Sequence, residues 1–304
     1  MTAPARLLIL GAGGQLGAEL ARRFAAESSG CPTPWSLTAL SRAELNLADA
    51  DALRTSIRHH APQILINAAA YTAVDRAESE RDQAFAANAV APGILAEEMA
   101  QLGGWLLHYS TDYVFDGSGF LPWRESDPTG PLNVYGASKL AGEQAIAATS
   151  ARHLIFRTSW VYAATGRNFL HTMLRLGRER DRLSIVADQI GAPTTAEALA
   201  AATVNLTLRL RDGFAPPSGL YHMSCAGETS WFGFAEAIFA AFSSHQPPPA
   251  LTPIATTDYP TPARRPLNSR LDGSRLQRDL ALRLPHWRDA FAEVAAALIT
   301  TPAR

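Results

Sequence analysis

The chain has few cysteines, little net charge and no long apolar run, and each of these features excludes a class of protein. Cys31 and Cys225 are the only two cysteines, and they lie far apart without metal-ligand spacing, so we expect free thiols in a reducing, cytoplasmic compartment. The formal net charge of -1 offers no general attraction to nucleic acid or to an anionic membrane. No uncharged apolar run reaches the roughly 20 residues that a membrane helix needs. We therefore expect a soluble protein whose anionic ligands are held by local groups.

The pattern of apolar residues predicts an α/β protein. Hydrophobic residues make up 47% of the 304 residues and charged residues 18%, which is a globular balance. Up to about residue 157, short apolar runs alternate with amphipathic stretches, as in a parallel sheet covered on both faces. The predicted fold class is a doubly wound parallel sheet (Rossmann-like) with a second, smaller α/β lobe toward the C-terminus. The first domain is placed at 1–158, completed by parts of 183–212, and the second lobe mainly at 159–304.

The individual elements follow from the same pattern. Predicted strands are 7–10, 36–40, 63–66, 105–109 and 153–156, with short strands at 183–186 and 220–222. Predicted helices are 18–26, 51–60, 84–101, 135–148, 168–180, 195–210 and 231–242. The proline-rich stretches 246–253 and 259–266 are predicted to be loops, because proline cannot continue a helix.

A glycine-rich turn, Gly11-Ala-Gly-Gly-Gln-Leu-Gly17, stands between the first predicted strand and the next helix. Glycine suits a tight strand-to-helix turn, and Gly11, Gly14 and Gly17 would let a phosphate approach the backbone. The exposed amides at the helix start would then bind the pyrophosphate of a dinucleotide. A turn without a ligand is the alternative, but strand, turn and helix stand in the register that a dinucleotide site requires.

The end of the second strand bears on which dinucleotide is bound. Enzymes selective for NAD usually place a carboxylate here for the ribose 2′-hydroxyl, whereas this chain has Ser41 and Arg42. Ser41 and Arg42 can both bind a phosphate, so we expect NADPH, with NADH as a second cofactor because Glu44 is nearby. A solvated Arg42 is the alternative. Small side chains at 67–72 would let a nicotinamide ribose lie against the backbone.

Tyr135 and Lys139 lie four residues apart, on one face of a predicted helix. Reduction of a ketone leaves an alkoxide that needs a proton, and a tyrosine can donate it. A lysine ammonium nearby would lower the pKa of the phenol and could hold the cofactor ribose. Thr111 ends the fourth predicted strand at the same crevice, where its hydroxyl could polarise the carbonyl, although capping a turn is its plainer role.

Several longer motifs carry a specific resemblance. They are HYSTDYVFD at 108–116, PLNVYG at 131–136 with Lys139, FRTSWVY at 156–162, DQIGAPT at 188–194, and TPARRP at 261–266 with Asn268, Ser269 and Leu271. Together they resemble the dTDP-4-dehydrorhamnose reductases, a family of extended short-chain dehydrogenase/reductases whose Gly-x-x-Gly-x-x-Gly spacing also fits. The resemblance implies reduction of dTDP-4-dehydro-L-rhamnose at C4 by a reduced nicotinamide cofactor bound to the first domain, with the nucleotide sugar in the second lobe.

The resemblance also implies roles for single residues. It places catalysis on Thr111, Tyr135 and Lys139. It places cofactor contacts on Gly14, Gln15, Leu16, Ser41, Asn46, Leu47, Ala70, Tyr71 and Thr72, as well as on Tyr135 and Lys139. It places sugar-nucleotide contacts on Thr111, Asp112 and Trp160. Tyr71 departs from the family, some members of which carry a histidine there.

Two further expectations concern charge and assembly. The substrate diphosphate needs local cations, and Arg264 and Arg265 are the candidates, with a structural arginine that anchors the proline-rich loop as the alternative. Members of the family are similar in forming homodimers, some with a magnesium ion held by carboxylates between subunits. Glu19 and Glu197 are candidate carboxylates, but each sits in a helical pattern where a solvated glutamate is the plainer interpretation.

Three other functions share parts of this pattern. A nucleotide-sugar dehydratase resembles this pattern but has Thr-Asp-Glu after the fourth strand, whereas Asp112 is followed here by Tyr113. An epimerase would use the same threonine, tyrosine and lysine. A regulatory subunit that binds a dinucleotide without turnover is a third alternative, although it has no use for a proton donor.

Overall fold

The computed structural model describes residues 4–28 and 35–300, so Cys31 lies outside it, while Cys225 is a buried free thiol. Twelve strands occur in these residues: β1 (Arg6–Leu10), β2 (Ser36–Leu40), β3 (Ile64–Asn67), β4 (Trp105–Thr111), β5 (Arg152–Thr158), β6 (Val161–Tyr162), β7 (Arg182–Val186), β8 (Ile190–Gly191), β9 (Thr194–Thr195), β10 (Gly219–His222), β11 (Thr229–Ser230) and β12 (Ala250–Ile254). Six of them form one parallel sheet in the order β10-β5-β4-β3-β1-β2.

Helices cover this sheet and build the rest of the described chain. They are α1 (Gln15–Ser28), α2 (Ala50–His60), α3 (Val74–Ala77), α4 (Arg81–Phe85), α5 (Ala91–Leu102), α6 (Val134–Ala147), α7 (Phe169–Glu179), α8 (Ala196–Arg211), α9 (Trp231–Ala241), α10 (Ser274–Leu280) and α11 (Trp287–Thr300). A π-helical turn, Ala86–Val90, joins α4 to α5, and short 3-10 helices occur at Asp112–Val114 and Thr256–Asp258.

The sheet is buried on both faces, because alternate residues of each strand enter different cores. In β1, Leu7 and Ile9 pack into one hydrophobic cluster and Leu8 and Leu10 into another. The chain reverses its direction of winding between β1 and β3, and ligands bind beyond the carboxyl ends of the strands at such a point. The predicted doubly wound parallel sheet is confirmed, and its crevice is fixed by topology.

Two predictions about elements were wrong. The stretch 246–253 is not all loop, because β12 begins at Ala250 and pairs in parallel with β7, forming a two-stranded sheet in which Pro253 costs little. The helix predicted at 84–101 is interrupted by the π-helical turn, which places the side chain of Asn88 inside the protein.

The central sheet draws its last strand from the C-terminal half of the chain. β10 pairs with β5 from Gly219 opposite Leu154 to His222 opposite Arg157, and α8 packs against α1. The sheet is therefore completed only by residues well beyond 158. The boundary at 158 stays a prediction.

Candidate active site

The glycine turn is shaped by close backbone packing. Gly11 has φ of +88°, and a Cβ there would lie 2.7 Å from the amide nitrogen of Ala69, just after β3. A Cβ on Gly17 would lie 2.0 Å from the carbonyl oxygen of Gly11, so only glycine lets α1 begin directly against the turn. The first amides of α1, starting at Gln15, have no partner within the helix and are available to a phosphate. The turn thus fits a dinucleotide pyrophosphate.

Gly17→Ala tests this packing. The methyl group would meet backbone, which cannot move aside as a side chain can, so we expect the turn to be displaced and dinucleotide affinity to fall at least about tenfold. Isothermal titration with NADPH measures the loss. Gly13→Ala is the matched control, because its Cβ would meet only the Cβ of Ser41 at 3.7 Å. Equal affinities for the two variants would contradict the packing argument.

Residues after β2 and β3 line the crevice next to this turn. The Ser41 amide donates to Glu44 Oε2 at 2.8 Å, and this contact holds the pKa of the Glu44 carboxyl below its usual value. Arg42 and Asn46 are exposed and Leu47 is half-buried. A 2′-phosphate that binds the Ser41 amide would have to displace the Glu44 carboxylate, so two anions compete for this donor at the end of β2.

The segment after β3 is held by the π-helical turn. Asn88 accepts a hydrogen bond from the Tyr71 amide at 2.8 Å, and its Nδ2 donates to the Tyr71 carbonyl and to Ser138 Oγ of α6. The Tyr71 hydroxyl donates to Glu80, while Ala70 is half-buried and Thr72 exposed. Asn88 therefore fixes the predicted cofactor segment relative to the helix that carries Tyr135.

The three predicted catalytic residues meet at the carboxyl end of β4. Burial raises the pKa of Tyr135 to about 12, opposed by the neighbouring Thr111 hydroxyl and aided by the negative charge of Asp112. Thr111 donates to Asp112 Oδ1 at 3.1 Å and accepts from the Tyr113 amide, which caps the 3-10 helix. Tyr135 thus holds its proton beside a hydroxyl, as a proton donor should.

The expected effect of Lys139 on Tyr135 was wrong. We expected the ammonium to lower the pKa of the phenol, but the Lys139 amine donates to the Tyr109 carbonyl at 2.5 Å and approaches His108 Nε2 at 3.2 Å. These partners lie behind Tyr135, on β4, so burial decides the pKa of the phenol instead. Lys139 nevertheless lies on the same face of α6 as Tyr135, one turn away.

The predicted substrate contacts surround this centre. Burial raises the pKa of Asp112 to about 7, although Thr111 donates a hydrogen bond to its Oδ1 and the Ser269 hydroxyl lies nearby. Trp160 adopts a left-handed backbone with φ of +49° and stacks on Trp231 at 3.7 Å between ring centroids. The left-handed backbone at Trp160 costs free energy, and the surrounding fold maintains it. The stacked indole is therefore held in one position beside the crevice.

The two arginines predicted for the diphosphate differ. Arg265 pairs with Asp75 at 2.8 Å, and Asp75 also accepts from the Ala263 amide, so the pair ties the proline-rich loop to the segment that follows β3. The Arg264 side chain is exposed, while its carbonyl accepts from Asn133, the N-cap of α6. Arg264 is the freer cation and Arg265 the anchored one.

Comparison with known proteins fixes the family. The family model described as RmlD substrate binding domain matches residues 5–300. The chain belongs to the RmlD family. A dTDP-4-dehydrorhamnose reductase of Burkholderia thailandensis is 47% identical to this RmlD chain, over 94% of the chain and 96% of the relative. The resemblance drawn from the motifs is confirmed.

Solved structures agree with this assignment along the whole RmlD chain. The dTDP-4-dehydrorhamnose reductase of Clostridium acetobutylicum is 32% identical, with a TM-score of 0.86 over 97% of this chain and 100% of that one. The corresponding reductase of Bacillus anthracis, in complex with NADP, is 34% identical, with a TM-score of 0.84 over 98% and 99% of the two chains. The described geometry therefore matches these solved relatives along nearly the whole chain.

Of the two carboxylates considered for magnesium, Glu19 is already paired in this RmlD chain, whereas Glu197 Oε2 is buried without a hydrogen-bond partner among the described residues. Glu19 Oε1 lies 2.6 Å from both Arg22 Nη2 and Arg23 Nε. Glu197 accepts from the Ala164 amide. Residues 4–28 and 35–300 contain no cluster of three or more His, Cys, Asp or Glu side chains placed for a metal. Two guanidinium groups already neutralise Glu19, so a dication has no unpaired carboxylate there.

Sequence reasoning missed several residues that build the site of this RmlD chain. Asn88, His108, Ser269 and Trp231 all contact predicted site residues, but the sequence assigned a role to none of them, although His108 and Ser269 belong to the quoted motifs. The signal for His108 was its place in the motif before Thr111, and none was available for Asn88. Within the described residues, no helix has the length and apolar character to span a bilayer.

Proposed function

We propose that this protein is the NADPH-dependent reductase that converts dTDP-4-dehydro-L-rhamnose to dTDP-L-rhamnose by reducing its C4 keto group. The observation that carries the proposal is that Tyr135 and Thr111 meet at the carboxyl end of β4, at the crevice that the glycine turn also lines. Relatives that carry the name of this activity align over nearly the whole chain, and one solved relative is in complex with NADP. The chemistry and the family therefore agree.

The residues of this chain divide the work of reduction among them. The bound reduced nicotinamide supplies the hydride. Tyr135 gives its phenolic proton to the oxygen that gains negative charge, and its raised pKa keeps that proton in place until then. Thr111 orients the carbonyl oxygen through its hydroxyl, which requires it to turn away from Asp112. Lys139 holds the cofactor ribose.

The remaining assignments complete the proposal. The glycine turn, Gln15, Leu16, Ser41, Arg42, Asn46, Leu47 and residues Ala70, Tyr71 and Thr72 bind the dinucleotide, with NADH accepted less well. Asp112 and Trp160 contact the sugar, and Arg264 binds the diphosphate while Arg265 holds its loop. We place the enzyme in the cytoplasm as a homodimer. A dehydratase is disfavoured because Tyr113 replaces the acid and packs its ring edge-on against Tyr135.

A substrate panel tests the proposal. NADPH and NADH absorbance at 340 nm would be followed with several 4-keto deoxy-sugar nucleotides, and the products identified by mass spectrometry. We expect oxidation with dTDP-4-dehydro-L-rhamnose and faster turnover with NADPH. Dinucleotide binding without oxidation of any panel member would reject the reductase and favour the regulatory alternative. Net exchange of sugar epimers without cofactor consumption would identify an epimerase.

Trp231→Ala should weaken substrate binding rather than chemistry. Trp160 contacts the sugar in the proposal, and Trp231 holds that indole by stacking at 3.7 Å, so its loss frees Trp160 to leave its strained conformation. We expect KM for the nucleotide sugar to rise about tenfold with kcat nearly unchanged. Steady-state kinetics measure both.

Trp231→Phe is the matched control, because a phenyl ring preserves a stacking surface. It should restore most of the affinity. The near-ultraviolet circular dichroism of the stacked indole pair should disappear in both variants, which shows that the pair was removed. A fall in kcat at unchanged KM would place Trp231 in the chemistry and contradict this assignment.

A further inference from the structure

A line of buried polar groups continues behind Lys139, away from Tyr135. Lys139 Nζ lies 3.2 Å from His108 Nε2, and His108 Nδ1 lies 3.0 Å from Asn67 Nδ2. Lys139 is 1% exposed, and His108 and Asn67 are not exposed at all. The line joins α6 through β4 to the end of β3, and the reduction as proposed above does not use its far members.

The direction of these hydrogen bonds is set at the Asn67 end. Asn67 Oδ1 accepts from the Ala69 amide at 3.2 Å, so the other amide atom, Nδ2, faces His108 as a donor. His108 Nδ1 must then accept. A neutral imidazole has one accepting and one donating nitrogen, so its proton lies on Nε2 and points at Lys139 Nζ.

We propose that His108, oriented by Asn67, is a positioning residue that donates its Nε2–H to Lys139 and thereby stabilises the neutral amine. An ammonium at Lys139 would face this donor with donors of its own. An amine accepts the Nε2–H and still donates to the Tyr109 carbonyl. Lys139 is therefore a group that releases a proton readily rather than a permanent cation.

The charges around Lys139 are consistent with this arrangement. Burial lowers the pKa of Lys139 to about 8, while Glu143, one turn further along α6, acts to raise it. Glu143 is itself bound by Arg157 of β5 and by Ser110 of β4, so its charge is already shared. Burial, with Lys139 as neighbour, holds the pKa of His108 well below its usual value, so the ring stays neutral. The amine thus becomes populated as pH rises through about 8.

The consequence for turnover rests on the proposed reductase function. When the O–H bond of Tyr135 breaks and its proton goes to the substrate oxygen, the phenolate needs a replacement proton. The Lys139 ammonium, one turn from Tyr135 on α6, can give that proton once its N–H turns from the Tyr109 carbonyl toward the phenolate, and the amine left behind accepts from His108. Solvent then returns one proton to the amine, so each turnover consumes one proton and one hydride.

Lys139 is the only lysine among the 304 residues, which makes its protonation directly measurable. Protein labelled with lysine carrying ¹³C at Cε gives a single resonance for this side chain, whose shift follows the protonation of Nζ. We expect a titration midpoint near pH 8 in the protein without substrate. In His108→Gln the amide oxygen can accept from the ammonium, so the midpoint should rise by about one pH unit or more.

A second variant protects the test against misfolding of the first. Asn67→Asp would accept from His108 Nδ1–H, which moves the ring proton away from Nε2 and lets that nitrogen accept from the ammonium, so the midpoint should also rise. His153→Gln is the matched control, since that buried histidine bonds to the Ala151 carbonyl at the start of β5 and should leave the midpoint unchanged.

The outcomes separate this inference from the proposed function. An unchanged midpoint in both His108→Gln and Asn67→Asp, or a ¹⁵N spectrum showing the His108 proton on Nδ1, would overturn it even if the protein reduces the expected substrate. A raised midpoint supports it even if the substrate proves to be different. If the reductase activity is present, the basic limb of kcat against pH should move upward with the midpoint in His108→Gln, whereas a merely structural role would lower kcat at every pH.

Discussion

Tyr135→Phe is expected to lower kcat for the nucleotide sugar by a hundredfold or more while leaving NADPH affinity within about twofold. The phenyl ring keeps the shape of the side chain and its edge-on packing with Tyr113, but it has no proton to give to the substrate oxygen. Thr111 is unchanged in this variant, and its hydroxyl would still turn from Asp112 to orient the carbonyl. Stopped-flow absorbance at 340 nm measures the rate, and cofactor titration measures affinity.

Tyr113→Phe serves as the matched control for this variant. It removes a hydroxyl group from the neighbouring ring, 5.7 Å between centroids, without touching the assigned donor. We expect most of the activity to remain. Normal turnover by Tyr135→Phe would show that another group protonates the product, and Asp112, whose pKa is about 7, would be the first to consider.

Arg157→Met should destabilise the protein by about 3–5 kcal/mol. Arg157 donates to both oxygens of Glu143, at 2.9 and 2.6 Å, and both side chains are buried between β5 and α6. Removing the guanidinium group leaves a carboxylate in the interior with only Ser110 as a hydrogen-bond donor. The penalty is that of an unpaired buried charge, and urea denaturation followed by circular dichroism measures it.

The double variant Glu143→Leu, Arg157→Met distinguishes this cause from lost packing. If the unpaired carboxylate is responsible, removing it as well should recover most of the lost stability, because two apolar side chains of similar volume need no partner. A double variant less stable than Arg157→Met would mean that the packing of Arg157 over the Phe115 ring dominates instead.

Much of the fold could be predicted because its cause is local. Each predicted strand of the N-terminal half lies within two residues of an observed one at its start, since buried parallel strands are short apolar runs bounded by turns. The glycine turn could also be predicted, because the close backbone packing at Gly11 and Gly17 excludes residues with a side chain. β12 was missed for the opposite reason: its sequence ALTPI holds a proline, and only pairing with β7, distant in sequence, makes it a strand.

The site divides in the same way. Tyr135, Lys139 and Thr111 could be found because helical spacing and strand ends place them at one crevice. The direction of the Lys139 amine could not be predicted. It depends on His108 and Asn67, which lie on two strands that only the sheet brings together. The pairing of Arg265 with Asp75, far apart in sequence, was equally invisible, and it decides which arginine remains free.

β10 is synthesised later than β5, the strand with which it pairs, and this order affects folding during translation. During synthesis β5 emerges from the ribosome well before β10, so its outer edge waits with unpaired amides and carbonyls while the intervening helices are still being translated. A nascent chain stalled in this interval presents an open edge to its neighbours on the same messenger. Slow translation there favours aggregation, and completion of Gly219–His222 is the step that removes the hazard.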